Sequence, residues 1–122
     1  MARHNEMGKW GEQMAAEYLE RKGFRIMWRD WRDGHRDLDI VGIDADNLVI
    51  VEVKTRRNKD FMEPEQAVDA KKIRRICAAA DKLVRTCGID MPVRFDIVTV
   101  TGTPDGECDI RHTEDAFLPI AY

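Results

Sequence analysis

Residues 37–43 (DLDIVGI) and 48–54 (LVIVEVK) are two runs rich in strand-forming aliphatics separated by Asp44-Ala45-Asp46-Asn47. Short runs rich in Val and Ile, joined by turn formers, read as the two strands of a hairpin. With those four residues as the loop, Ile43 stands opposite Leu48, and the numbers of facing residues sum to 91. Side chains alternate along a strand, so one face carries Asp39, Val41, Ile43, Leu48, Ile50, Glu52 and Lys54. The other face, Leu38, Ile40, Gly42, Val49, Val51 and Val53, is apolar throughout. A sheet that is apolar on both faces has to be covered on both, which calls for an α/β fold with helices on either side.

The rest of the chain supplies that cover. A helix is expected from about Asn5, as N-cap, to about Lys22, with Gly23 as its stop. Its apolar stripe is Met7, Trp10, Gly11, Met14, Ala15 and Tyr18, and Glu12 lies at the border of that stripe. FRIMWRDW reads as a strand ending in a turn at Asp33-Gly34. A second helix is expected from near Pro64 to just before Gly88, with Ile73, Ile76, Cys77, Ala80, Leu83, Val84 and Cys87 turned inward. VRFDIVTV and, after the turn TPDG, the weaker ECDIRHT complete the order α-β-β-β-α-β-β. At 122 residues, 1–122 is expected to form a single domain.

Composition narrows the setting. Hydrophobic residues at 43% and charged residues at 35% are too apolar for disorder, and no apolar run approaches the roughly 18 residues of a membrane span. The opening MARHNEMGKW carries no apolar signal segment, and Cys77, Cys87 and Cys108 form neither an even set nor a CxxC pair. Both features point to a cytoplasmic protein with reduced thiols. His4, His35 and His112 are too scattered for a zinc site. The net charge is −3, yet residues 54–75 hold eight Lys/Arg against four Asp/Glu, leaving the remainder at −7. A local basic face can hold phosphates even in an acidic protein.

The hairpin also carries chemistry. Its register puts Asp39 across from Glu52 and Asp37 across from Lys54. Opposed side chains have β-carbons about 5 Å apart, where two carboxylates repel unless they share a proton or hold a cation. Carboxylate oxygens suit Mg²⁺ or Mn²⁺, which activates water and neutralises charge on a phosphodiester. Lys54, on the same face, would meet that water or the phosphate. The plainer reading is a surface ladder with an exposed Asp37–Lys54 pair, and a slip of one residue would undo the Asp39–Glu52 pairing. Gln66 and Asp69 occupy core-facing positions of the second helix, where polar groups need partners. Lys72 and Arg75, with Arg56 and Arg57, could position a phosphate backbone, or be solvated surface.

GKWGEQMAAEYLERKGF, DWR, DLDIV, LVIVEVKTR, AVDAKKIRRI, RFDIV and HTEDAF together resemble, in order and over essentially the whole chain, the YraN-like family of small bacterial proteins. That family is similar to the PD-(D/E)xK nuclease superfamily, near archaeal Holliday-junction resolvases. The resemblance implies a restriction-endonuclease-like core, a mixed β-sheet between helices. It implies Asp39, Glu52 and the main-chain carbonyl of Val53 as metal ligands, Lys54 at the attacking water, Glu12 as a further acid, and Gln66 as a polar helix residue near the site. Where the family usually has Gly-Glu-Ile-Asp, this chain has Arg36-Asp37-Leu38-Asp39; Asp39 and Glu52-x-Lys54 are intact. The function implied is a Mg²⁺- or Mn²⁺-dependent endonuclease acting on DNA, branched or otherwise structured, as a homodimer. The alternative is a non-catalytic module binding nucleic acid or protein on the same fold. A hydrolase of small phosphorylated molecules is the weaker third, since no Gly-rich phosphate loop is present.

Overall fold

A computed structural model describes residues 2–58 and 69–119 of the chain. Helix α1 (Ala2–Arg21) is followed by strands β1 (Arg25–Asp33), β2 (Arg36–Asp44) and β3 (Asn47–Arg56). Helix α2 (Ala70–Cys87) then leads to β4 (Val93–Gly102) and β5 (Cys108–Thr113). The strands lie in the order β1-β2-β3-β4-β5, antiparallel except for the parallel β3–β4 pair that α2 connects. This is the α/β arrangement of a mixed sheet between two helices, consistent with a nuclease-like core. No helix among the described residues is long and apolar enough to cross a membrane.

Strand β3 lies in the middle of the sheet, and its residues 48–52 are all buried. Val41, Leu48, Ile50 and Phe95 pack on one side with Ile76, Cys77, Ala80 and Leu83 of α2. Ile40, Val49, Val51, Val98 and Val100 pack on the other with Ala15, Ala16 and Leu19 of α1. Gly11 permits the close approach of α1, because a Cβ there would collide with Thr55 Oγ1 of β3. That contact sets Glu12 beside the end of the central strand.

The β2–β3 register runs from Asp44↔Asn47 to Ile40↔Val51, and each pair sums to 91 as expected. The turn is shorter than the four residues expected, with Ala45 and Asp46 alone outside the ladder and Ala45 at φ 56°. The pairing stops at Ile40↔Val51, so Asp39 and Glu52 stand just beyond it, where the two strands part. Leu38 departs from the expected face and packs in the α2-side cluster with Trp31, its partner on β1. The neighbouring Asp30 adopts φ 51°, which breaks the alternation of β1 at that point.

The helices differ from expectation at their ends. Asn5 lies inside α1, and the deepest line of that helix runs through Gly11, Ala15, Ala16 and Leu19, leaving Trp10, Met14 and Tyr18 half-buried. Helix α2 begins at Ala70, with Asp69 as its N-cap, Oδ1 accepting from the Lys72 N–H at 2.9 Å. Asp69 is therefore satisfied as a cap, not as a polar group in the core. Pro64 and Gln66 lie outside the described residues. Cys87, expected inside, is exposed in the last helical position before Gly88, and all three cysteines are free.

Candidate metal and nucleic-acid site

Where β2 and β3 part, a cleft of about 280 Å³ opens between the helices. It is lined by Gly8 and Glu12 of α1, Asp39, Glu52, Val53 and Thr55 of the sheet, Lys72, Arg75 and Ile76 of α2, and His35-Arg36-Asp37 at the β1–β2 turn. A break in the ladder frees backbone groups, and one of them holds the first acid in place. The Val53 N–H, just past the last β2–β3 ladder pair, donates to the Asp39 side chain at Oδ2, 2.8 Å away.

Glu52 is only 6% exposed, which a central strand dictates and which excludes a solvent-exposed ladder for the Glu-x-Lys element. Asp39 is partly buried beside it, and its carboxyl interacts directly with that of Glu52. Burial, then the Glu52 carboxylate, push the Asp39 pKa well above the ordinary aspartate value, and the Val53 N–H opposes this without cancelling it. Burial likewise raises Glu12, with Asp30, Asp37 and Glu52 adding to the effect and Arg29 working against it. This end of the sheet thus concentrates negative charge in a half-dry cleft.

The counter-charges are two lysines. Lys72 Nζ lies 2.5 Å from Glu52 Oε2, and Lys54 Nζ lies 3.9 Å from the same oxygen. Burial works against the charged form of Lys72, but the bond to Glu52 outweighs it and raises the pKa. Lys54 is instead held below the usual lysine range, by burial and then by the neighbouring Lys72 ammonium. The expected Asp37–Lys54 pairing is replaced: Asp37 faces Arg32 across the β1–β2 ladder, and Lys54 turns to Glu52.

Of the residues singled out in the sequence, Glu12, Asp39, Glu52, Val53, Lys72 and Arg75 meet in the cleft, with Lys54 beside Glu52. Arg56 and Arg57 lie elsewhere. Arg56 Nε donates to Thr101 Oγ1 at 3.0 Å, and Arg57 lines a separate pocket with Glu6, Met7 and the β4–β5 turn. Sequence reasoning misses His35 and the pairing of Lys72 with Glu52, whereas Arg36, which the family pattern already marks as added charge beside the site, lines the cleft. The charged turn Asp33-Gly34-His35-Arg36 was a visible signal, whereas a contact between residues 52 and 72 had none.

A hard divalent cation fits the donor set. A buried and a half-buried acid face one another at a ladder break, and a cation would offset both the burial and the repulsion that raise Asp39. Among the described residues no three His, Cys, Asp or Glu side chains gather closely enough to hold a metal ion. The side chains therefore offer two ligands, and the remainder of a shell must come from the main chain, solvent or substrate, the usual pattern for Mg²⁺.

A second polar cluster lies outside the cleft. Asp96, fully buried, accepts from Arg94 Nε and Nη2 at 2.9 Å each, from the Asp115 N–H at 3.0 Å and from His112 Nε2 at 2.8 Å. Lys22 Nζ lies 2.8 Å from His112 Nδ1; an ammonium only donates, so Nδ1 accepts and Nε2–H is left to donate to Asp96. Arg94 also reaches Asp44 at 3.1 Å, and Phe117 stacks on Phe95 with ring centroids 5.2 Å apart. The RFDIV and HTEDAF segments thus form a clamp that ties β4, the β5 end, the hairpin turn and the C-terminal end of α1 together.

The chain is similar along nearly its entire length to proteins of several bacteria. It is 53% identical over 119 residues to a UPF0102 protein of Bacteroides thetaiotaomicron, covering 98% of each chain. It is 50% identical over 121 residues to one of Phocaeicola vulgatus and 46% identical over 118 residues to one of Porphyromonas gingivalis, covering 98% and 87% of those chains. Residues 11–100 match the sequence profile described as uncharacterised protein family UPF0102. By that match and by the identities to these relatives over nearly its full length, the chain belongs to family UPF0102.

Proposed function

We propose that the cleft is the site of a metal-dependent endonuclease acting on DNA, with branched or otherwise structured DNA as the substrate class. The observation that carries this reading is the pair Asp39, half-buried, and Glu52, buried, whose carboxyls interact where β2 and β3 diverge. Asp39 and Glu52, with the Val53 carbonyl, would hold Mg²⁺ or Mn²⁺. When bound, such an ion supplies Lewis acidity to a phosphodiester and lowers the pKa of water.

The chain's own residues do the rest. The Val53 N–H fixes the Asp39 carboxylate through the bond at 2.8 Å. Lys54, with its pKa already lowered, is placed beside Glu52 to give or take a proton at the reacting phosphate. Arg75 and Arg36 on the cleft wall are suited to phosphate oxygens, while Glu12 adds an acid on the α1 side. Arg56 and Arg57, outside the cleft, would serve only a substrate long enough to leave it. One cleft of this size spans a short stretch of backbone, so a junction would be held by two copies of the chain.

The test is cleavage of linear, nicked and four-way-junction DNA in Mg²⁺ or Mn²⁺, with Glu52→Ala alongside. Metal-dependent cutting that disappears in Glu52→Ala supports the reading, and failure to cut any of these substrates in either metal overturns it. The second reading, a non-catalytic module for nucleic acid or protein, draws on the Lys72–Glu52 pair, which already balances one of the acids. It would bind DNA in a salt-sensitive way that is indifferent to divalent metal.

A further inference from the structure

The first turn of α2 has the wrong sign for a helix. A helix N-terminus carries partial positive charge and favours acids, yet no acid lies in this turn, and Lys71 and Lys72 occupy it. Asp69 caps the turn through the Lys72 N–H, which fixes where the Lys72 side chain leaves the helix. That side chain runs into the cleft and ends 2.5 Å from Glu52 Oε2. An interaction that is locally unfavourable for the helix is thus retained where it meets a buried acid.

The two lysines at Glu52 differ in freedom. Lys54 projects from the central strand and its side chain is 23% exposed, whereas the Lys72 side chain is 43% exposed and hangs on a helix end at the cleft mouth. Asp39 and Glu52 together with Lys54 and Lys72 are formally neutral, so a dication entering this set leaves an excess of two positive charges. The group best able to leave is Lys72, the more exposed of the two.

We propose that Lys72 is a built-in, displaceable counter-ion: it holds Glu52 in the metal-free protein, and divalent cation binding releases its ammonium to the cleft mouth, where it joins Arg75 in binding a phosphate of the substrate. This inference rests on the metal-site reading above. Lys72 is a positioning residue in the free protein and turns to phosphate only once the cation is in place. Cation and phosphate binding are therefore coupled through one side chain, each favouring the other.

The experiment is calorimetric titration of Mn²⁺ alone into the full-length protein and its Lys72→Met and Lys72→Arg variants, with thermal unfolding as a check that each is folded. Removing a competing charge at short range should tighten Mn²⁺ binding by roughly tenfold in Lys72→Met, after allowance for solvent screening. Lys72→Arg, which keeps the charge, should stay near the wild type, an outcome a merely structural lysine would not produce. A Lys72→Met variant that binds Mn²⁺ no more tightly than the wild type overturns the inference and leaves the metal site standing. Absence of Mn²⁺ binding in both overturns the inference and the metal-site reading together.

Discussion

Asp96 offers the sharpest separation between what holds this fold and what the cleft does. Its buried carboxylate satisfies a bidentate Arg94, the Asp115 N–H and His112 Nε2. In Asp96→Ala, Arg94 retains Asp44 at 3.1 Å, but the His112 and Asp115 donors are left without this acceptor. Unsatisfied buried donors cost about 1–3 kcal/mol each, and breaking a buried ion pair about 3–5 kcal/mol. Since these overlap, a total loss of about 3–5 kcal/mol is expected, equivalent to a Tm drop of about 10–20 °C for a chain of this length.

The acid also has a pH signature. Burial alone would raise the Asp96 pKa, but Arg94, the Asp115 N–H and His112 outweigh it and leave the carboxyl below the ordinary value. The folded state therefore binds fewer protons than the unfolded one, so this stabilisation is complete above about pH 4 and fades as pH falls toward the folded pKa. Urea unfolding of wild type, Asp96→Ala and Asp96→Asn at neutral pH and at about pH 2–3 measures both effects. The Asn variant should lose less stability than Ala and should lack Asp96's share of the acid sensitivity. A loss below about 1 kcal/mol in Asp96→Ala would refute the clamp.

Asp39 should behave in the opposite sense. Its pKa is raised, so in metal-free protein it costs stability as pH climbs from the unfolded aspartate value through the raised one. Asp39→Asn keeps an acceptor for the Val53 N–H and removes both the burial of a charge and its repulsion by Glu52, together worth roughly 1–2 kcal/mol after solvent screening. Differential scanning calorimetry without metal should show the variant more stable at neutral pH and level with wild type near pH 3, and a variant less stable at neutral pH would contradict this. Gly11→Ala forces α1 away from Thr55 and should cost about 1–3 kcal/mol by chemical denaturation, as overpacking does. Thr55→Ala should recover part of that loss, and strict additivity of the two changes would show that the contact is not the cause.

The hairpin was legible because its register follows from counting, and a ladder running Ile40↔Val51 to Ile43↔Leu48 is fixed once the turn is placed. Counting did not reveal that the ladder ends at Ile40, because the break depends on Asp39 competing for the Val53 N–H. The shift of Leu38 to the α2 side goes with its partner Trp31 and with Asp30 at φ 51° on another strand, which periodicity within 37–43 does not encode. Helix α2 was visible from its stripe, but its start depended on a cap, and Asp69 was assigned to the core because its angle matched that stripe. At the site, the acids and Lys54 lie within one hairpin and could be read together. Lys72 reaches Glu52 from a different element, and nothing local to residue 72 specifies that meeting.

A crystal soaked in Mn²⁺ and measured for anomalous scattering tests the central claim most directly. The account predicts a peak coordinated by Asp39 and Glu52, with Lys72 Nζ withdrawn from Glu52 Oε2. A cleft without a peak at millimolar Mn²⁺, or a peak held by other residues while Lys72 stays on Glu52, would contradict it.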